Sequence, residues 1–152
     1  IDALSHGDLG KASMIIAQRS NLPAVCGRVC PHERQCEGSC ILGRKGQGIK
    51  IGKLERFIAD MDGELELVAP NVAKSQPGNI AVIGSGPAGL TVAGDLAKMG
   101  FKVTVFDSQP EAGGVLMYGI PEFRLPKQVV RREVKRIKKL GVDFKLYIMV
   151  GT

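Results

Sequence analysis

The chain has 152 residues, 44% of them apolar, with 20 glycines, no Trp and a formal net charge of +6. That length suits one medium domain or two small pieces with packed cores, and no apolar run approaches the roughly 18 residues of a membrane-spanning helix. No secretory signal is visible, so a cytoplasmic protein is expected, and with no Gly-X-Y repeat the glycines are positional, placed for turns and close approaches.

The sequence opens on Ile1, inside a stretch that already reads as helix, so the start is expected to be a cut. Asp8 is placed to cap a helix over Leu9 to Arg19 with Ile15 and Ile16 on its buried side. Asn21-Leu22-Pro23 is expected to end it. A segment broken by Gly27, Pro31, Gly38 and Gly43 follows, mostly loop with short turns. It carries Cys26, Cys30, Cys36 and Cys40. Outside a secretory context such a cluster reads as metal ligands more readily than as disulfides. The spacing C-x3-C-x5-C-x3-C matches neither the paired C-x2-C of zinc sites nor the bacterial ferredoxin run. A self-contained site for zinc or one cluster, and structural thiols without metal, both stay open at this point. Ile51 to Met61 reads as a helix with Leu54, Phe57 and Ile58 inward. His6 and His32 stand alone, suited to surface or capping roles. These residues, 1–68, form the first expected domain, and 69–78 the linker.

From 79 to 152 the pattern is β-α-β. Ile80-Ala81-Val82-Ile83 is a continuous apolar run, as in a strand covered on both faces. Gly84 to Gly89 is read as a tight turn, Leu90 to Met99 as a helix stopped by Gly100, and Lys102 to Phe106 as a second strand. Gly84-Ser85-Gly86-Pro87-Ala88-Gly89 is a G-x-G-x-x-G between strand and helix. In such a motif the first glycine permits the turn, the second lets the backbone approach a pyrophosphate, and the third packs the helix on the strand. The helix N-terminus offers N–H groups and a positive dipole end to phosphates. Asp107, closing the second strand, is placed to accept from a ribose 2′-hydroxyl and would repel the extra phosphate of NADP. The motif alone does not separate FAD from NAD, and a Gly-rich turn without ligand is the plain alternative.

A glycine-rich loop follows, then a helix bearing Lys127, Arg131, Arg132, Lys135, Arg136, Lys138 and Lys139 around Val130, Val134 and Ile137. Its basic face is expected to be solvated. No aromatic residues interleave as stacking platforms, so nucleic acid is not the expected partner; attraction to an anionic cofactor or an acidic redox partner fits equally. A last strand is expected near Val142 to Val150. Three strands fall short of a doubly wound sheet, so the end is also expected to be a cut.

Gly113-Gly114-Val115-Leu116-Met117-Tyr118-Gly119-Ile120-Pro121 and Phe123-Arg124-Leu125-Pro126-Lys127 resemble the flavoprotein family of the glutamate synthase small (beta) subunit. Relatives include the flavin module of dihydropyrimidine dehydrogenase and an NADH-dependent ferredoxin:NADP oxidoreductase subunit. Cys26-Gly27-Arg28-Val29-Cys30-Pro31, Cys36-Glu37-Gly38 to Cys40, and Ile51-Gly52-Lys53-Leu54-Glu55-Arg56-Phe57 resemble it too, so the likeness covers nearly the whole chain. It implies an α/β chain: a helical iron–sulfur segment, then an incomplete Rossmann-like FAD-binding domain. It implies FAD contacts at Gly84, Gly86, Pro87, Ala88, Gly89, Asp107, Gly114, Leu116 and Arg124. It implies that Cys30 and Cys36 serve one 4Fe–4S cluster together with Glu55, and Cys40 a second. Four further cysteine ligands lie upstream in the family, so the set here is partial, and Cys26 is a spare thiol.

The function so implied is an oxidoreductase passing electrons between NAD(P)H, FAD and 4Fe–4S clusters. FAD converts a hydride pair into single electrons. In a glutamate synthase a partner subunit would do the synthase chemistry, and an oligomer is expected. A dihydropyrimidine dehydrogenase-type or ferredoxin:NADP transhydrogenase-type subunit is the alternative within the class. A zinc-stabilised basic binding module is the alternative outside it. No acid–base residue in the chain reads as catalytic.

Overall fold

In the computed structural model, which describes residues 1–69 and 71–151, the chain divides into two units, one over Ile1–Val68 and a second from Ala69 onward. Pro70, within the expected linker, and Thr152, the end of the expected second domain, lie outside the described residues.

The first unit is helical: α1 (Asp2–Ser5), α2 (Leu9–Ala17), α3 (Pro23–Val29) and α4 (Ile51–Leu65). Asp8 caps α2 as expected, its carboxylate accepting from Lys11 N at 2.8 Å. The buried side of α2 is different from the expected one. Ile15 is 48% exposed, while Ala12 packs with Ala3 and Ile58, joined by Leu4, Leu9 and Ile16. Ala12 and Ile16 are one turn apart and define the contact stripe; Ile15 is rotated off it. Pro23 ends nothing. It stands at the first position of α3, where its missing N–H costs no hydrogen bond, so Cys26 lies on a helix rather than in a loop.

Helices α3 and α4 pack closely because the contact is made of small residues. A Cβ at Gly27 would sit 2.7 Å from the backbone N of Arg56. Across this seam Arg28 donates two hydrogen bonds to Asp60, at 2.9 and 2.8 Å. The buried face of α4 is Gly52, Ile58, Ala59 and Asp62, and Phe57 is 52% exposed, against expectation. Close backbone approach selects small residues for the seam and turns the bulky ring outward. Lys50 gives α4 no side-chain cap; instead Glu37, from the cysteine loop, accepts from Gly52 N at 3.0 Å.

The second unit is a parallel sheet in the order β1 (Asn79–Ile83), β2 (Lys102–Phe106), β3 (Asp143–Lys145). Parallel neighbours need crossovers. These are α5 (Pro87–Lys98) between β1 and β2, and the short α6 (Val115–Tyr118) with α7 (Lys127–Lys139) between β2 and β3. The order is that of one mononucleotide-binding half. The unit's buried residues include Val82, Leu90, Ala93, Val103, Val105, Val130, Val134 and Ile137, the last three as read from the sequence.

Four expectations change here. Within this chain one face of strand β1 is covered: α5 packs on β1 and β2 with α7 beside it, and Ala81 and Ile83 are left exposed, Ile83 by 61%. Helix α5 starts at Pro87, so half of the supposed turn is helix. The last strand stops at Lys145, and the chain then passes through a left-handed residue, Tyr147 at φ 59°. Within the stretch read as linker, Ala73 N and Gln76 N donate to the carbonyls of Lys98 and Gly100, both at 2.9 Å, fastening it to the end of α5.

Gly27→Ala is expected to force α3 from α4, lowering stability by about 1–3 kcal/mol. The urea midpoint measures it, and an unchanged midpoint would contradict the close seam.

Candidate functional site

The turn after β1 uses its glycines for three different reasons. Gly84 has φ +92°, a conformation L side chains rarely adopt, and its N–H donates to the Phe106 carbonyl at 2.8 Å. At Gly89 a Cβ would fall 1.9 Å from the Gly84 carbonyl oxygen, so α5 meets the turn only as glycine. Gly86, the N-cap, has an ordinary φ of −67° and a Cβ there would meet no atom within 4 Å. Neither backbone strain nor packing within the chain calls for glycine at 86. A phosphate group resting against the backbone would, so these residues fit a dinucleotide. Pro87 and Ala88 form the first turn of α5, no side chain caps it, and its dipole favours an anion there.

Behind the turn lies a residue that motif reasoning passed over as a spacer. Ser85 is fully buried. Its N–H and hydroxyl both donate to Asp107 Oδ2, at 2.6 and 2.5 Å, and its Oγ accepts from Gly113 N at 3.1 Å. Asp107 Oδ1 accepts from Gln109 N at 2.8 Å. Burial works to raise the Asp107 pKa, but hydrogen bonds from Ser85, Gln109 and Ser108 outweigh it and hold the carboxyl below its ordinary value. Gly114, at φ +52°, lies so close that a Cβ would be 2.8 Å from Gly86 Cα. Gly84, Gly86, Gly89, Asp107 and Gly114 are thus brought together around one turn. Leu116 is buried, with its carbonyl accepting from Lys127 Nζ at 3.0 Å. Arg124 is exposed, its backbone N–H donating to Pro121 O, and no hydrogen bond joins its side chain to the turn among the described residues.

Helix α7 presents the expected solvated basic face, with Arg131, Lys135, Lys138 and Lys139 exposed, and it also braces the glycine-rich loop. Lys127 Nζ also donates to the Ile120 carbonyl, at the end of α6. Arg131 makes two hydrogen bonds to Glu111, at 2.8 and 3.1 Å. Lys138 stands 5.3 Å from the Phe144 ring centroid. Arg132, Arg136 and Lys139 have partners as well. Cationic side chains at loop ends meet carbonyls and carboxylates that the loop leaves exposed, a pairing invisible to helical periodicity.

In the first unit the four cysteines have unlike surroundings. Cys26 and Cys30 are one helical turn apart at the end of α3, and their thiols share a hydrogen bond. Burial, then Cys30 and Glu55, push the Cys26 thiol up to about 12. The sulfur of Cys40 accepts from the backbone N–H groups of Ile49, Leu42 and Gly43, which lowers its pKa. Cys36 is exposed on the loop between them. Glu55 is half-buried on the α3-facing side of α4, its pKa raised by burial and partly offset by His32. His32 is not a surface residue as expected: its side chain is 14% exposed and its Nε2 lies 4.0 Å from Glu55 Oε2. A Cβ on Gly52 would strike its ring at 2.4 Å, so the glycine makes room for the imidazole. His6 is exposed and bonds the Asp2 carbonyl, as a helix-end residue does. No three His, Cys, Asp or Glu side chains converge as a metal-holding group among the described residues. The donor chemistry suits iron; the number gathered here does not complete a site.

Comparison with known proteins agrees with this division. Residues 1–67 match the family model described as dihydropyrimidine dehydrogenase domain II, 4Fe-4S cluster, and residues 82–129 that of an NAD(P)-binding Rossmann-like domain. The chain is therefore an iron–sulfur domain followed by a Rossmann-like dinucleotide domain. Over 97% of its length it is 42% identical to the glutamate synthase (NADPH) small chain of Escherichia coli, and over 99% it is 42% identical to that organism's putative oxidoreductase UacF. It is 39% identical over 92% to the NAD-dependent dihydropyrimidine dehydrogenase subunit PreT of Salmonella typhimurium. It is a homologue of these proteins over nearly its whole length, and the family likeness read from its motifs holds. The chain spans 31%, 24% and 34% of these relatives respectively. No helix among the described residues is long and apolar enough to cross a membrane.

Because the Asp107 pKa is lowered on folding, its stabilising contribution is present above the unfolded value of about 3.9 and is lost as pH falls through the folded pKa. The second unit should weaken below about pH 4. Asp107→Asn should remove that acid-range dependence and lower stability at pH 7 by about 1–3 kcal/mol. Urea midpoints taken across pH measure both; the same acid slope in the variant would contradict the assignment.

Proposed function

We propose that the whole protein is an NAD(P)H-dependent oxidoreductase that passes electrons through FAD to 4Fe–4S clusters, acting as a glutamate synthase small subunit in glutamate biosynthesis. The observation that carries the reading is the continuity of the likeness. The 42% identity to a glutamate synthase small chain extends over 97% of this chain, so it takes in both the cysteine-bearing unit and the dinucleotide unit. FAD supplies the exchange between a hydride pair and single electrons. In this chain Gly84, Gly86, Pro87, Ala88, Gly89 and Gly114 shape and line the phosphate-binding turn, with Asp107 behind it. The assignments of Leu116 and Arg124 as further FAD contacts rest on the family likeness. Cys30 and Cys36 with Glu55 hold one cluster, Cys40 contributes to another, and the remaining ligands come from elsewhere in the protein. Cys26, held as a thiol beside Cys30, is no ligand. The acceptor is a partner synthase subunit in a cytoplasmic oligomer.

A second reading, an electron-transfer subunit of a dihydropyrimidine dehydrogenase, is favoured by the likeness to PreT. The partner decides between them. Copurification with a subunit that forms glutamate from glutamine and 2-oxoglutarate supports the first, and with one that reduces pyrimidines the second.

Gly86→Val should leave the fold within about 0.5 kcal/mol of the parent, since a Cβ there meets open space. It should abolish bound flavin in the whole protein. Flavin absorbance per protein measures it, and unchanged content would sink the FAD assignment. Glu55→Ala should lose or alter one cluster and spare the other, with flavin near normal. Iron content and the EPR spectrum of the reduced protein report it. Two unaltered cluster signals would remove Glu55 from the ligand set.

A further inference from the structure

We propose that His32 is a positioning residue for Glu55: its imidazole donates from Nε2 to one oxygen of the carboxylate and leaves the other oriented to ligate iron. The inference rests on the reading, given above, that Glu55 shares a 4Fe–4S cluster with Cys30 and Cys36.

The imidazole is held from two sides. The His32 carbonyl accepts from the backbone N–H groups of Gln35 and Glu37, at 3.1 and 2.9 Å, so its main chain is tied into the cysteine loop. On the other side α4 offers Gly52, where a Cβ would lie 2.4 Å from His32 Nδ1 and 2.5 Å from its Cε1. A side chain at 52 would push the ring out of its seat. Gly52 and Glu55 are three residues apart on one face of α4. The glycine that seats the ring and the carboxylate that the ring faces thus belong to one helical turn.

The far nitrogen of the ring is the informative atom. Nε2 is buried and has no hydrogen-bond partner among the described residues. An N–H left so is costly. Glu55 Oε2 lies 4.0 Å from it, a small turn of the carboxylate beyond the roughly 3 Å of a hydrogen bond. The two side chains are 14% and 21% exposed, so little water competes for either. A carboxylate has two oxygens, and only one is taken by this bond. With Oε2 on Nε2, Oε1 stays available as a ligand and the group no longer turns freely. Outer partners of this kind fix the orientation of a metal ligand and strengthen its hold. Cys30 lies two residues before His32 and Cys36 four after, so the donor for the carboxylate is carried by the same loop as the two thiols.

A ring that only fills the seat at Gly52 would work without its nitrogen, and two variants of the whole protein separate these roles. His32→Phe keeps a ring and has no donor. His32→Gln gives up the ring and keeps an amide N–H of the same reach. Iron is removed with a chelator, and the reduced protein is followed by EPR and by redox titration of each cluster. In His32→Phe the chelator concentration that strips half of one cluster should fall about tenfold. The EPR signal and midpoint potential of that cluster should shift, while those of the other, held by the same unit, stay as in the parent. His32→Gln should match the parent in all three. The reverse pattern, with Phe like the parent and Gln impaired, makes His32 a packing residue and overturns the proposal, as does a parent-like result in both. If His32→Phe loses both clusters, the unit has not folded, and His32→Leu takes its place with the same expectation. In a Glu55→Ala background His32→Phe should change nothing further; an equal loss there would show that the imidazole does not act through the carboxylate and overturns the proposal while the ligand reading stands. Two unaltered signals in Glu55→Ala itself overturn the ligand reading and the proposal with it.

Discussion

The second unit depends on a buried carboxylate that its own backbone has claimed. Asp107 closes the central strand, and its oxygens hold the first residue of the turn after β1 and the first residues beyond β2. A charge in that position would be costly if left bare. With donors on both oxygens it is held ionised below the ordinary Asp range, and it pins two loops at the carboxyl end of the sheet. That end is where parallel α/β sheets bind their ligands. Gly84, Gly89 and Gly114 then follow as consequences: each removes a side chain that would stop the pinned segments from meeting. The basic helix completes the arrangement from outside, Lys127 and Arg131 tying down the loop that Ser85 holds from inside.

A comparable constraint operates in the first unit by a different means. Gly27 lets α3 approach the backbone of α4, and the Arg28–Asp60 pair fixes how far along α4 the contact falls. With rotation and register set, Glu55 faces the Cys26–Cys30 end of α3 and His32, while Phe57, two residues on, faces away. Glu37 caps α4 from the cysteine loop, so the segment carrying Cys36 and Cys40 is anchored to the helix that carries Glu55. The C-G-R-V-C and I-G-K-L-E strings thus hold packing residues interleaved with donors.

What could be read in advance follows from which interactions leave a mark in sequence. The amphipathic stripe of α7 at Val130, Val134 and Ile137, the Asp8 cap and the first and third glycines of the turn are local patterns, and the structure has them. Ile15 and Phe57 depart from the expectation because hydrophobic size does not set burial at these seams, which select Ala12, Gly27, Gly52 and Ala59. His32, Ser85 and Glu37 act across 23, 22 and 15 positions of the chain respectively, and nothing in their neighbours announces it. The four apolar residues of the β1 run predict a strand buried on both faces, and the run by itself does not say which face the helices of this chain cover.

The four cysteines are sorted by environment before any metal is considered. Cys40 receives backbone N–H groups, which favour its thiolate, the form in which a cysteine ligates metal. Cys26 is pressed the other way, by burial and by the charges it would face on Cys30 and Glu55, and it keeps its proton. It precedes Gly27, which lies against α4, and burial is the largest cause of its raised pKa. Deprotonating it would place a second negative group against Glu55 in a half-buried site. The same seam that aims Glu55 inward therefore removes Cys26 from competition with it. In the cluster site proposed above, a hard carboxylate and a soft thiolate would then meet without Cys26 as a further donor, and ligand choice of that kind is among the levers that set a cluster's potential.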